Sequence, residues 1–394
     1  MFSKKELFLK YIGQTSGSPY LVEIEKAEGI YLYAPNGKRY IDLISGVSVS
    51  SLGHNNLVVK EAIVNQVNKH LHLMVYGEFI QSSQVELAEY LVKLLPPELN
   101  NVYFVNSGSE AIEATIKLAK KYTKRCKIFA FKNAYHGSTA GALSLCGNDD
   151  FKEHAKPLLP EIYFLELNNF SQLEKIDNET ACVVLEPIQA EAGVQIPQQN
   201  YITALRKKCT ETSSLLIFDE IQTAFGRTGK MFGFENFNII PDIICFAKAL
   251  GGGMPLGALV TDKNIMDFFT FNPVLGHITT FGGHPVCCAA GLANLKIIKE
   301  SKIINTVNEK SELFKKLLKH KRIKEIRGNG LLLAVELNSF DLVLNVVKLG
   351  IEAGFITDWF IFHDSAFRIA PPLNINEDEI RFCCNLILET LDRL

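Results

Sequence analysis

From about residue 100 the chain alternates short apolar runs with stretches of helical spacing. The runs 102–105, 127–131, 162–167, 182–185, 215–218 and 243–247 are rich in β-branched and aromatic side chains and too short for helices, so each predicts a buried strand. Between the first two, Ile112, Ile116 and Ala119 recur at helical spacing, leaving Glu113, Lys117 and Lys120 for the wet side. This alternation through residue 262 predicts an α/β fold with a mostly parallel, helix-covered sheet. Upstream, the strand-like runs 29–33 and 40–43 flank Pro35-Asn36-Gly37 and predict a hairpin or meander. Residues 57–72 carry helical periodicity, and 82–95 begins with capping serines and stops at Pro96-Pro97, so both predict surface helices. The small, polar stretch 45–54 reads as a loop at a pocket or interface, or as a plain connector. Beyond 260, a helix over 286–298 precedes a second, smaller α+β unit made from 323–336, 343–349 and 367–370. Arg368 falls in an edge-type context there, because Pro371 and Pro372 follow it.

Composition narrows the function class. The chain has 394 residues, 47% hydrophobic and 21% charged, enough for two or three domains with a large core. A net charge of −2 gives no overall basic field for nucleic acid or an acidic membrane. No apolar run approaches the ~20 residues that span a bilayer, and the N-terminus has no sustained apolar segment of a secretory signal. The nine cysteines lack CxxC spacing and include the adjacent pairs Cys287-Cys288 and Cys383-Cys384, which suits reduced thiols in a cytoplasmic protein rather than disulfides or zinc. His70 and His72 have no third ligand at a sensible spacing, so no metal is expected. Gly226-Arg227-Thr228-Gly229-Lys230 resembles the end of a P-loop, but Met231 stands where Ser or Thr must hold magnesium.

The chemistry gathers at strand ends. The run 215–218 ends at Asp219-Glu220 and 243–247 ends at Lys248, followed by Gly251-Gly252-Gly253. Ligands of open α/β sheets bind beyond the carboxyl ends of the strands, so Asp219 and Lys248 can face one ligand. A carboxylate that keeps a pyridine nitrogen protonated and an amine that forms a Schiff base with an aldehyde suit such a pair. Ser107-Gly108-Ser109 at a helix start offers amides and hydroxyls to a phosphate, though any well-capped helix looks the same. Tyr135 beside His136 suits stacking on a flat ring, or an inert packed pair.

Together, Ser107-Gly108-Ser109-Glu110-Ala111, Ala134-Tyr135-His136-Gly137, Glu186-Pro187-Ile188-Gln189, Asp219-Glu220-Ile221-Gln222-Thr223, Phe225-Gly226-Arg227-Thr228-Gly229, Lys248 and Thr280-Phe281-Gly282-Gly283 resemble, in order and spacing, the class III pyridoxal-phosphate-dependent aminotransferases. The similarity runs from about Pro19 to Asn376 and is nearest to the acetylornithine, ornithine and 4-aminobutyrate subgroup. It implies a fold-type-I homodimer with pyridoxal 5'-phosphate in a large domain (56–290) carrying a seven-stranded, mostly parallel sheet. A small domain would come from 1–55 and 291–394. Lys248 would carry the Schiff base, Asp219 would pair with the pyridine nitrogen, Tyr135 would stack on the ring and Gln222 would approach its 3-oxygen. Ser107, Gly108 and Ser109 would hold the phosphate, with His136 and Glu186 beside the cofactor and Thr280 reaching the partner's cofactor. Glu191 and Arg368 match a pair that opens to bind a substrate carboxylate.

The implied reaction is transamination between an amine donor and an oxo acid, with an ω-amino acid or diamine as donor and 2-oxoglutarate as acceptor. Racemases and aminomutases share the scaffold, and a catalytically silent binding protein is a further alternative. Three positions depart from the subgroup: Ser138 replaces a carboxylate-binding arginine, Ala224 a glycine and His284 an asparagine.

Overall fold

The computed structural model describes residues 2–394 and contains three sheets. The largest has seven strands, in the order Asn101–Val105, Gly257–Thr261, Ile243–Phe246, Leu215–Asp219, Thr180–Leu185, Lys127–Phe131 and Ile162–Leu165. Gly257–Thr261 runs antiparallel to both of its neighbours, and the pairs from Ile243–Phe246 to Ile162–Leu165 are all parallel. The apolar runs are continuous because helices cover both faces. Leu216, Phe218, Ile244 and Phe246 enter one core, whereas Leu215, Ile217, Ile243 and Cys245 enter the core on the other face. At roughly 1.5–3 kcal/mol for each large side chain buried, these strands fix the register that sets the positions of their end residues.

A four-stranded sheet joins the two ends of the chain. Lys26–Glu28, Tyr31–Tyr33 and Arg39–Asp42 form the expected meander, and Phe355–Ile356 adds in parallel, pairing with Ile41 and Asp42. Ile30, Ile41 and Leu43 share one core with Phe314, Val346, Phe367 and Ile387 from the C-terminal part. The third sheet has the order Glu325–Asn329, Leu332–Glu336, His363–Ile369, Trp359–Phe360. The run 343–349 lies inside a helix, Phe340–Ala353.

Arg368 corrects the edge reading. It lies within His363–Ile369, flanked by strands on both sides, and is 1% exposed. The prolines mark where that strand ends, and Trp359–Phe360 forms the edge. The P-loop look-alike is a structural turn: Arg227 is fully buried and donates to the carbonyls of Leu331 (2.8 Å) and Pro371 (2.6 Å), tying the large sheet's loop to the C-terminal unit. No helix among the described residues is long and apolar enough to cross a membrane.

Candidate active site

Strands Leu215–Asp219 and Ile243–Phe246 pair in parallel with Asp219 opposite Cys245, which brings the two chain exits side by side. Side chains alternate across a strand, so Asp219 and Glu220 diverge. Glu220 accepts from the amides of Gly233 and Phe234 and holds that loop, while Asp219 lines a cavity of about 480 Å³. Asp219 Oδ1 accepts from the Ile221 amide at 3.0 Å, and Oδ2 meets His136 Nδ1 at 2.7 Å. After Phe246, Lys248 opens a single 3₁₀ turn, Lys248–Gly251, with φ +49°. A non-glycine residue in that region costs about 1 kcal/mol, and here the conformation sits at a residue that lines the same cavity as Asp219. Of the three glycines, Gly253 lines the cavity, whereas a Cβ on Gly252 would meet Asn294 Cβ at 2.8 Å, so Gly252 serves close packing against helix Pro285–Glu300.

Ser107 caps helix Gly108–Thr123, its Oγ accepting from the Glu110 amide at 3.2 Å. The first intrahelical bond is Ala111 N to Ser107 O, so the amides of Gly108 and Ser109 stand at the positive end of a 16-residue helix and open toward the cavity. The cradle has glycine dimensions. A Cβ on Gly108 would meet Ile221 Cδ1 at 2.7 Å, and one on Gly137, at φ +129°, would collide with Ser109 Oγ. Tyr135 and His136 complete the lining. The Tyr135 amide donates to Glu186 Oε1 at 2.9 Å, and the Ala190 amide to Glu186 Oε2 at 3.1 Å.

Gln222 forms the link to a buried charge network. Its Nε2 donates to Glu191 Oε1 (3.1 Å), and its Oε1 accepts from Arg368 Nη1 (2.8 Å). Arg368 Nη2 donates to both oxygens of Glu191 at 3.1 Å. The structure therefore brings together Ser107, Gly108, Ser109, Tyr135, His136, Glu186, Asp219, Gln222 and Lys248 around one cavity, with Glu191 and Arg368 one bond behind Gln222. Thr280 is not among them. It is exposed on the loop before helix Pro285–Glu300, while its neighbour Thr279 accepts from Asn106 Nδ2 at 2.8 Å. Sequence reasoning passed over Asn106, Val49 and Met254 as lining residues; of these, Val49 had a signal, in the small-residue stretch 45–54.

An acid, an amine, a helix N-terminus and an aromatic face on one cavity fit pyridoxal phosphate, and the comparisons agree. The model of the aminotransferase class-III family matches residues 12–391. The chain belongs to the class III aminotransferases. It is 37% identical over 379 residues to an acetylornithine aminotransferase of Methanopyrus kandleri, covering 95% of each chain. It is 40% identical over 319 residues to a [LysW]-aminoadipate semialdehyde/glutamate semialdehyde transaminase of Sulfolobus acidocaldarius, covering 80% of this chain and 81% of that one. Among solved structures, the omega transaminase of Pseudomonas jessenii in complex with PMP superposes with a TM-score of 0.92 at 28% identity, covering 100% of this chain and 98% of that one. The ornithine aminotransferase of Toxoplasma gondii gives 0.91 at 28% identity, covering 100% and 96%. The protein is thus a pyridoxal-phosphate-dependent aminotransferase with the expected fold.

In this aminotransferase, burial pulls the Lys248 amine below the usual lysine range, and Glu191 opposes that pull. The direction favours the neutral amine over the ammonium. Burial lowers His136, but its bond to Asp219 and that carboxylate's charge outweigh the burial, and the net direction is up. Glu186 is raised to about 8, mainly by burial, with His136 opposing and Asp219 adding to the rise. Unfolded, the same carboxyl titrates near 4.3, so between about 4.3 and about 8 the folded state holds the extra proton. Its stabilising contribution is complete below that window and is lost as pH rises through about 8. In cofactor-free protein, the melting temperature of Glu186→Gln should therefore change less between about pH 5 and about pH 8 than that of the parent. An unchanged slope in thermal melts across that range would take the titration away from Glu186.

Proposed function

We propose that this enzyme moves an amino group from an ω-amino acid or diamine donor, of acetylornithine or 4-aminobutyrate type, to 2-oxoglutarate in two half-reactions with ping-pong kinetics. The observation that carries the reading is the convergence of Lys248, Asp219 and the N-terminus of helix Gly108–Thr123 on one cavity. When bound, the cofactor supplies an aldehyde that condenses with the Lys248 amine and a protonated ring that takes up the electron pair leaving the substrate carbon. The chain's own groups do the rest. The Gly108 and Ser109 amides, with the Ser107 and Ser109 hydroxyls, bind the phosphate, and Tyr135 takes a ring face. Asp219, held by His136, keeps the ring nitrogen's proton. Gln222 meets the ring hydroxyl. Lys248 Nζ would take the proton from the nitrogen-bearing carbon of the donor and hand it on to the cofactor within the same half-reaction, and would carry a proton the opposite way, onto the carbon of the oxo acid, in the second. Glu191 withdraws from Arg368 when an oxo acid arrives, and Nη1 and Nη2 then receive its carboxylate as a fork.

The donor is set partly by what position 138 lacks. Ser138 Oγ lies 3.2 Å from the Tyr135 hydroxyl, and a neutral pair replaces a charged grip on a donor carboxylate. Donors without a carboxylate at that end, diamines included, belong in the accepted range. The relatives' names, acetylornithine aminotransferase among them, support a donor with its amine at the end of a chain.

We also propose a homodimer in a reducing cytoplasm. Ile80 and Phe281 are exposed apolar side chains beside the loop bearing Thr280, and Leu57, Val58 and Val64 are exposed on helix Leu57–Lys69, apolar surface suited to a second copy and to offering Thr280 to its cofactor. All nine cysteines are free. The core shared by both chain ends supports a division into a large cofactor-binding domain, 56–290, and a small domain from 1–55 and 291–394.

Half-transamination tests the reaction. A diamine or ω-amino acid given alone should convert the bound cofactor fully to its pyridoxamine form, and 2-oxoglutarate should restore the original spectrum. A racemase or aminomutase would leave the spectrum nearly unchanged, and a silent member would not take up cofactor colour. Running a donor panel against 2-oxoglutarate and pyruvate then ranks the substrates.

A further inference from the structure

Arg368 meets carboxylates on two different edges of its guanidinium. The Nη1 and Nη2 edge faces Glu191 and Gln222, while Nε donates to Asp358 Oδ1 at 2.8 Å. The Phe360 ring lies 4.5 Å from the guanidinium carbon and packs against its face.

The two acids are held differently. Asp358 directly precedes the strand Trp359–Phe360, which pairs with the strand carrying Arg368, Trp359 lying opposite Phe367. The Arg368 amide donates to the Asp358 carbonyl at 2.9 Å, and Thr357 Oγ1 donates to the Arg368 carbonyl at 2.6 Å. Asp358 and Arg368 are thus fixed to each other through the backbone as well as through their side chains. Glu191 comes from the loop after strand Thr180–Leu185; its backbone carbonyl accepts from the Phe362 amide at 3.1 Å and not from Arg368, and its carboxylate already accepts from the Ile361 amide at 3.3 Å and Gln222 Nε2, bonds that do not depend on the arginine. Of the two, Glu191 is the carboxylate free to leave.

We propose that Asp358 is a positioning residue that holds the Arg368 fork in its binding orientation after Glu191 has left, and so sets how well the enzyme binds the carboxylate of its oxo acid. This rests on the reading of Arg368 as the carboxylate-binding residue. An incoming carboxylate replaces Glu191 on Nη1 and Nη2, and Arg368 keeps two anionic partners throughout, so the exchange leaves the charge around the guanidinium unchanged. Without the Nε tether the guanidinium is free to turn with whichever anion it meets, and the orientation that makes a two-bond grip strong is lost.

The test measures the two half-reactions separately on holoenzyme. With Asp358→Ala, the apparent dissociation constant for 2-oxoglutarate, acting on the pyridoxamine form, should worsen about tenfold more than that for a diamine acting on the pyridoxal form. Asp358→Asn keeps an acceptor for Nε and should bring that ratio back to within about threefold of the parent. If Asp358→Ala does not fold, Asp358→Ser, too short to reach Nε, carries the same expectation. Equal losses in both half-reactions, or failure of the asparagine to rescue, would overturn the assignment. Arg368→Ala separates the two layers: if it weakens both half-reactions equally, the carboxylate-binding reading itself falls, and if it is selective while Asp358→Ala is not, only the tether falls.

Discussion

Replacing Lys248 with alanine is expected to end multiple turnover while the protein still takes up its cofactor. The phosphate cradle, the Tyr135 face and Asp219 do not depend on the lysine, because each is positioned by its own element: the cap of helix Gly108–Thr123, the Tyr135–Glu186 bond and the end of strand Leu215–Asp219. What disappears is the amine. Proton transfer by a positioned group contributes about 10²–10⁴ in rate, and in the proposed reaction the same amine would also displace the amino product that ends the second half-reaction, so the combined loss in kcat should exceed about 10³. Alanine keeps the Cβ and with it the strain of φ +49°, and what it removes is an amine that burial already disfavours in its charged form, so no large loss of stability is expected. The check is a stopped-flow single turnover beside a steady-state assay, with cofactor content read by absorbance. Steady-state turnover within about tenfold of the parent would remove Lys248 from the reaction.

Much of this site was legible because its residues sit where elements change. Asp219, Lys248 and Ser107 each stand at a junction between a strand and a turn or helix, and junctions show in the hydrophobic pattern. The parallel sheet followed from the alternation of short apolar runs with helical stretches, and the runs are continuous because strands covered on both faces lose their polar positions. The pattern failed where burial does not follow periodicity. Helix Lys4–Tyr11 has no buried residue, so nothing in its apolar spacing pointed to a core; only the Ser3–Glu6 capping box marks its start. Arg368 looked like an edge residue because Pro371 and Pro372 follow it and proline is confined to strand ends and edges. Two carboxylates allow its burial, Glu191 from a segment distant in sequence and Asp358 from just before the neighbouring strand, and no local pattern announces such partners. Asp358 carried no motif at all. Its role becomes visible only when the strand pair Trp359–Phe360 and His363–Ile369 sets it beside the arginine.

The second large effect falls on Asp219. In Asp219→Asn the side chain keeps its size, and its oxygen can still accept from the Ile221 amide, so the cavity holds its shape. The charge proposed to keep a proton on the ring nitrogen is gone. A neutral ring accepts the electron pair of the substrate carbon far less readily, and losses of this electrostatic kind run to about 10²–10³ in rate. His136 changes as well: with its Asp219 partner neutral, the main opposition to burial is removed and the imidazole is driven toward its uncharged form. Both changes would act on the proposed proton-transfer step, whereas the Gly108 and Ser109 amides proposed to hold the phosphate are untouched. The rate of donor half-transamination should therefore fall by about 10³ while the cofactor dissociation constant rises no more than about tenfold. A donor deuterated at the nitrogen-bearing carbon should show a larger isotope effect in the variant than in the parent, since proton abstraction becomes the slow step. If saturating cofactor instead restored the parent rate, the carboxylate would be a binding group only. The electron-sink role assigned to the end of strand Leu215–Asp219 would then have to pass to another group in the cavity, and the other acid lining it, Glu186, is already committed to the Tyr135 and Ala190 amides.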